Sequence, residues 1–167
     1  MSTPHLATDS QAFRLALGRF PTGVTIVTTQ LPGQAPMGLT VSSFNSVSLN
    51  PPLVVWSLSK QSSSRLAFQN CERYVIHVLA ADQMSLANRF AKGTQAERFE
   101  GIGLASTPHG AIRLDLPCAA WFECVNKHVH EEGDHLVFIS SVEHCADTET
   151  LPLIYHAGGY DLTPKGT

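Results

Sequence analysis

The chain opens on a helix-like pattern. Asp9 or Ser10 stands where a cap is wanted, and Phe13, Leu15, Ala16, Leu17 and Phe20 recur at spacings that share one face, until Pro21 and Gly23 end the run. The period then shortens toward two. Val24 to Leu31, Met37 to Phe44 and Leu53 to Leu58 are rich in Val, Ile, Thr and aromatic residues and are punctuated by Pro32-Gly33 and Pro51-Pro52, which predicts strands joined by turns. Ser62 to Asn70 predicts a short helix with a serine cap. Arg73 to Leu79 predicts another strand, and a second helix follows through Met84, Leu86, Ala87 and Phe90 with Asp82 as its cap.

Residues 92–111 are interrupted by Gly93, Gly101, Gly103, Pro108 and Gly110 and are expected to be a loop, of the length that compact domains keep for functional or mobile segments. Cys118 to His130 and Leu136 to His144 predict two strands around the polar turn Glu131-Glu132-Gly133-Asp134. The tail from Leu151 to Leu162 carries Tyr155 and a Gly158-Gly159-Tyr160 close approach. Strands outnumber helices, and their connections are too short for crossover helices. The expected fold is therefore mainly β, an antiparallel barrel with short helices at its ends.

Composition narrows the function. The 167 residues suit one domain, with residues 1–10 expected to be flexible. Eleven Lys and Arg against fourteen Asp and Glu, a net charge of −3, offer no basic field for nucleic acid. No apolar run approaches the length of a membrane span, and Met1 to Ser10 lacks the form of a secretory signal, so a cytoplasmic protein is expected. Cys71, Cys118, Cys124 and Cys145 form no C-x-x-C pair and are expected to be buried, reduced thiols.

The charges are also unevenly placed. From Phe20 to Ser59 there is no Asp, Glu, Lys or Arg, yet the window holds Thr22, Thr25, Thr28, Thr29, Thr40, Ser42, Ser43, Ser46, Ser48, Ser57 and Ser59, and it opens into Lys60-Gln61-Ser62-Ser63-Ser64-Arg65. Alternating hydroxyls are usually the outward face of half-buried strands. Joined to a cationic serine turn at a helix start, they also suit a flat, phosphorylated heteroaromatic ligand. His128, His130 and Glu132 share one face of a strand, and His144 and Cys145 are further ligand types. No metal-binding spacing organises them, and no metal is expected. Gly101-Ile102-Gly103-Leu104-Ala105-Ser106 lacks the preceding strand and third glycine of a dinucleotide loop.

Several ordered motifs carry a resemblance. Phe20 to Thr29, then Gly38-Leu39-Thr40-Val41-Ser42-Ser43-Phe44-Asn45-Ser46-Val47-Ser48-Leu49 with Pro51-Pro52, then Ser57 to Ser64, Gly133-Asp134-His135 and Gly158-Gly159-Tyr160 resemble the flavin reductase-like family from about Phe13 to Leu162. The resemblance implies a split β-barrel homodimer that binds FMN or FAD near the subunit interface and reduces it with NADH or NADPH, many relatives supplying reduced flavin to a separate monooxygenase. It implies that Thr40, Val41, Ser42, Ser43, Asn45, Ser46, Val47 and Ser48 line the isoalloxazine and ribityl chain. Ser57, Lys60, Ser62, Ser63 and Ser64 would hold the phosphate. Arg89 and Phe90, in an Arg-Phe-Ala motif similar to the family's, would stand at the cofactor edge, and His135 and Tyr160 near the nicotinamide. Ser64 replaces the threonine of many relatives, and His77 an asparagine.

For such chemistry the protein need only stack two rings and exclude water. With no dinucleotide domain, the nicotinamide is expected to fold over the flavin against Lys92 to Gly110. His135 is the one candidate for catalytic proton chemistry, and a turn histidine that caps its own hairpin is the plainer alternative. Tyr160 either closes the site or packs on the barrel. A flavin-binding or delivery protein without turnover is the alternative function.

Overall fold

The computed structural model describes residues 8–161; residues 1–7, most of the segment expected to be flexible, and Leu162 lie outside them. Asp9 and Ser10 belong to the first helix. Helix α1 (Ser10–Leu17) starts where the Asp9 carboxylate accepts the amides of Gln11 and Ala12, both at 3.1 Å. Its apolar stripe has no cover among the described residues, for Phe13, Leu15, Leu17 and, just beyond, Phe20 are all more than half exposed.

The main sheet follows from the alternating runs. Strands β2 (Thr25–Thr29), β3 (Met37–Val41), β4 (Asn45–Leu49), β5 (Pro52–Ser59), β6 (Arg73–Val78), β9 (Ala120–Glu132) and β10 (His135–Asp147) pair antiparallel in the order β3-β2-β6-β9-β10-β5-β4. The long β9–β10 hairpin turns through Gly133 at φ +57°, a conformation glycine adopts without penalty. Strand β4 was missed in the sequence because Asn-Ser-Val-Ser-Leu pairs on one side only and is largely exposed.

This order has a geometric consequence. β3 and β4 are opposite edges of the sheet, yet only Ser42, Ser43 and Phe44 separate them in the chain, a reach of at most about 14 Å. The sheet must roll until its two edges nearly meet, leaving β3 and β5 side by side without a shared hydrogen-bond ladder. The result is the split barrel expected, and its seam runs past residues 39–43 and 57–59.

Inside the roll, Trp56 stacks on Phe138 at 4.4 Å between ring centroids and meets Phe68 and Tyr74 edge-on. Its indole N–H donates to the Tyr74 hydroxyl at 2.8 Å, and Tyr74 is hydrogen-bonded in turn to buried Ser140. A second core of Val24, Ile26, Leu79, Ala87, Phe90, Leu114 and Leu153 lies under helix α3 (Met84–Ala91). Buried His77 bridges strands there. Its Nε2 accepts the Leu114 amide at 3.0 Å, which leaves Nδ1–H to donate to the Ile26 carbonyl at 3.0 Å, and desolvation lowers its pKa to about 4.

Several local expectations are corrected. Gln83, not Asp82, stands at the start of α3, its side chain accepting the Ala80 amide and donating to the Pro117 carbonyl. The supposed loop of 92–111 contains helix α4 (Gln95–Phe99), closed by a reciprocal Thr94–Glu97 capping box, and strand β7 (Leu104–Ser106), paired with β8 (Ile112–Leu114). Gly158-Gly159 is no close approach. Ala157 and Gly158, both at positive φ, turn a hairpin between β11 (Ile154–His156) and β12 (Gly159–Asp161), which pairs through β11 with β1 (Thr22–Gly23). Cys71, Cys118 and Cys124 are buried as expected, whereas Cys145 is exposed. Among the described residues, no helix is long and apolar enough to cross a membrane.

Candidate cofactor cleft

The seam of the rolled sheet widens into an open cleft of about 330 Å³. One wall is the β3 edge, Leu39, Thr40 and Val41, continued by Ser42 and Ser43; the other is Ser57, Leu58 and Ser59 of β5 with Ser62 and His135. Three motifs far apart in sequence therefore share one concavity. Among the described residues its lining contains no carboxylate, so hydroxyls, backbone amides and one imidazole set its polarity.

Within the cleft, four of the hydroxyls have a defined task. Thr40 Oγ1 donates to the Ala87 carbonyl at 2.7 Å, anchoring the β3 edge to α3. Ser43 Oγ accepts the Ser57 amide at 2.9 Å and donates to the Ser57 carbonyl at 3.1 Å. Ser59 Oγ accepts the Gln61 amide and Ser62 Oγ the Ser64 amide, both at 3.2 Å, shaping the turn that leads into helix α2 (Arg65–Asn70). The Lys60 amide donates to the Asp134 carbonyl at 2.9 Å, tying that turn to the β9–β10 turn, where Lys60 Nζ lies 3.1 Å from Glu131.

His135 Nδ1 lies 2.7 Å from Asp134 Oδ1, a contact that holds the Asp134 carboxyl below the usual carboxylate range. With Nδ1 engaged, Nε2 is the nitrogen left to meet a ligand. His135 thus pairs with its neighbour on the hairpin turn and also stands in the cleft wall.

Other sequence candidates sit elsewhere. Asn45, Ser46 and Ser48 line a separate, mainly apolar groove of about 480 Å³ with Phe44, Leu49, Leu53 and Phe122, and Val47 is half exposed beside them. Ser63 is exposed on the turn, but Ser64 is buried, and its hydroxyl accepts the Gln95 side-chain amide at 3.0 Å instead of capping α2. Phe90 is fully buried against Phe99 and belongs to the second core. Arg89 donates to the Glu97 carbonyl at 2.8 Å and to the Glu100 carbonyl, which makes it the C-terminal cap of α4, on a different cleft lined by Gln83, Leu86 and Ile102. Tyr160 packs edge-on against Tyr155 over the second core. Within the chain, the Arg-Phe-Ala motif and the tail tyrosine make these contacts outside the seam. His128 and His130 stand with ring centroids 6.1 Å apart on the exposed face of β9.

Comparison with known proteins identifies the family of the chain. A family model described as a flavin reductase like domain matches residues 17–163. The chain is 40% identical over 152 residues to an FMN reductase (NADH) of Agrobacterium fabrum, covering 91% of this chain and 85% of that protein. It is 34% identical over 167 residues to the reductase component of a flavin-dependent trigonelline monooxygenase of Acinetobacter baylyi, of whose length it spans about half, 53%. The solved NADH:FAD oxidoreductase of Streptomyces globisporus, in complex with NAD and FAD fragments, superposes with a TM-score of 0.89 at 28% identity over 99% of this chain and 100% of that one.

Proposed function

Because the chain belongs to the flavin reductase like family, we propose that the cleft between Thr40–Ser43 and Ser57–Ser62 is where it holds FMN or FAD for reduction by NADH or NADPH. The protein is an NAD(P)H-dependent flavin reductase. The single observation that carries the placement is the convergence of residues 40–43, 57–59, 62 and 135 on one seam whose lining, among the described residues, has no carboxylate. The cleft volume lies at the lower end of the roughly 300–1,000 Å³ typical of small-molecule sites.

When bound, the flavin supplies the hydride-accepting electronics. The chain's residues bind, orient and shield. Ser42 presents an exposed side chain, and Ser42 and Ser43 exposed backbone, beside the ring site. Ser62, Ser63 and Lys60 offer donors to a phosphate, and with α2 only six residues long the turn and the lysine matter more than a helix dipole. The absence of lining carboxylates leaves negative charge on a reduced ligand unopposed by like charge. His135 holds a proton at Nε2 or accepts a hydrogen bond there, its ring aimed by Asp134.

The protein acts as a homodimer in this reading, supported by apolar surface that the described residues leave uncovered. Leu49 is 94% exposed, next to the groove of Phe44, Leu53 and Phe122. Asn45, Ser46, Val47 and Ser48 adjoin that groove, so their contact with flavin would come where two subunits meet. Reduced flavin is delivered to a separate oxygenase, by likeness to the Acinetobacter reductase component, and the protein works in the cytoplasm, where reduced nicotinamide is made.

The test follows nicotinamide absorbance in the presence of FMN and, separately, FAD. Rapid flavin-dependent NADH or NADPH consumption is expected, and Ser63→Asp should raise the flavin KM by like-charge repulsion of the phosphate. Unchanged flavin affinity in that variant would move the phosphate away from the turn.

A further inference from the structure

Outside the cleft, the fold gathers two histidines and a buried carboxyl that flavin reduction does not use. Glu123 of β9 is completely buried, and its Oε2 lies 2.9 Å from His144 Nδ1 and 3.8 Å from His109 Nδ1. The two imidazoles are 4.7 Å apart between centroids. We propose that His109, Glu123 and His144 form a binding site for a divalent transition-metal ion of the zinc type.

The spacing of the donor atoms suits a shared ion. One donor atom from each residue can be chosen so that all lie within 4.8 Å of one another. A tetrahedral ion bonded at about 2.0–2.1 Å separates its ligands by about 3.3 Å, between the two nitrogen–oxygen distances observed. Two imidazoles and one carboxylate are a borderline donor set suited to Zn²⁺ and its neighbours rather than to Ca²⁺ or Mg²⁺. The ion would take the place of the proton between His144 Nδ1 and Glu123 Oε2.

The surroundings are built to hold those ligands. Thr107 donates to the other carboxyl oxygen, Glu123 Oε1, and so turns Oε2 toward the histidines. His109 follows on the same turn, closed by the Gly110 amide donating to the Thr107 carbonyl at 2.9 Å. On β10 the register slips between Val142 and His144, so Glu143 has no cross-strand partner of its own. That bulge brings both neighbours to the cluster, because Glu143 Oε2 lies 2.7 Å from His109 Nδ1 and 3.2 Å from Arg73 Nε. The His109 and His144 side chains are 47% and 37% exposed, which gives an ion entry and leaves a position for water or Glu143. Bound there, the ion would staple the β7–β8 hairpin and its turn to the long β9–β10 hairpin.

The experiment titrates metal-stripped full-length protein with Zn²⁺ against a chromophoric chelator and records the visible spectrum with Co²⁺. One equivalent should bind, with cobalt bands of a low-coordinate nitrogen–oxygen site and a raised Tm. His109→Ala, on an exposed turn, and His144→Ala should each weaken binding by at least about tenfold while flavin reduction persists. His128→Ala should bind as wild type does. Should Glu123→Gln not fold, His109→Ala alone decides. Substoichiometric binding, or affinity unchanged in His109→Ala, would overturn the site.

Discussion

Ser43 and Ser57 are joined twice through one hydroxyl: Ser43 Oγ accepts the Ser57 amide and donates to its carbonyl. A side chain thereby does what a strand partner would do for β5 at the point where the chain crosses from the β3 edge to the β4 edge. Ser43→Ala strips both bonds from Ser57, and a loss of about 1 kcal/mol is expected in urea denaturation. Flavin affinity should fall with it, because the same residues wall the cleft; stability lost without any change in affinity would detach the cleft from the ligand.

His77 makes the fold sensitive to mild acid. Its folded pKa is lowered to about 4, so between that value and about 6.5 the unfolded chain takes up a proton that the folded chain refuses. The stabilisation is complete above about pH 6.5 and is lost as the pH falls toward 4, about 3 kcal/mol in all. Urea midpoints across this window should decline in the wild type and flatten in His77→Gln, which keeps a donor and an acceptor without titrating. An equally steep decline in the variant would remove His77 as the cause.

Gly38 should tolerate no side chain. A Cβ there would lie 2.8 Å from Phe90 Cε1 and 2.9 Å from Phe99 Cζ, both in the packed contact between β3, α3 and α4. Gly38→Ala is expected to cost about 1–3 kcal/mol by overpacking. A Tm equal to wild type would show that α3 and α4 shift freely.

What the sequence disclosed and what it hid follow from where each signal resides. β2, β3, β5 and β6 were legible because β-branched and aromatic runs bounded by Pro and Gly mean the same thing in any tertiary setting. Residues 40–43, 57–62 and 135 were legible as ordered motifs. Helix α4 was hidden by Gly93 and Gly101, although Thr94 and Glu97 carry the capping-box spacing that could have found it. Arg89 and Phe90 are adjacent in the sequence, yet within the chain one bonds the end of α4 and the other fills the core, a division of tasks that the Arg-Phe-Ala motif does not announce. The grouping of His109, Glu123 and His144 exists only through strand pairing and a bulge, which no spacing announces.

Leu49 tests the proposed subunit interface. It is 94% exposed beside an apolar groove, so Leu49→Asp should shift elution in size-exclusion chromatography from dimer to monomer and weaken flavin binding. A wild-type protein that elutes as a monomer would contradict the dimer.

The most direct test is a crystal structure of the protein with bound FMN. The ring system should lie in the seam, within hydrogen-bonding distance of residues 42–43, with its phosphate against Ser62, Ser63 and Lys60. Flavin found instead in the cleft of Leu86 and Arg89, with the seam closed on itself, would contradict the account.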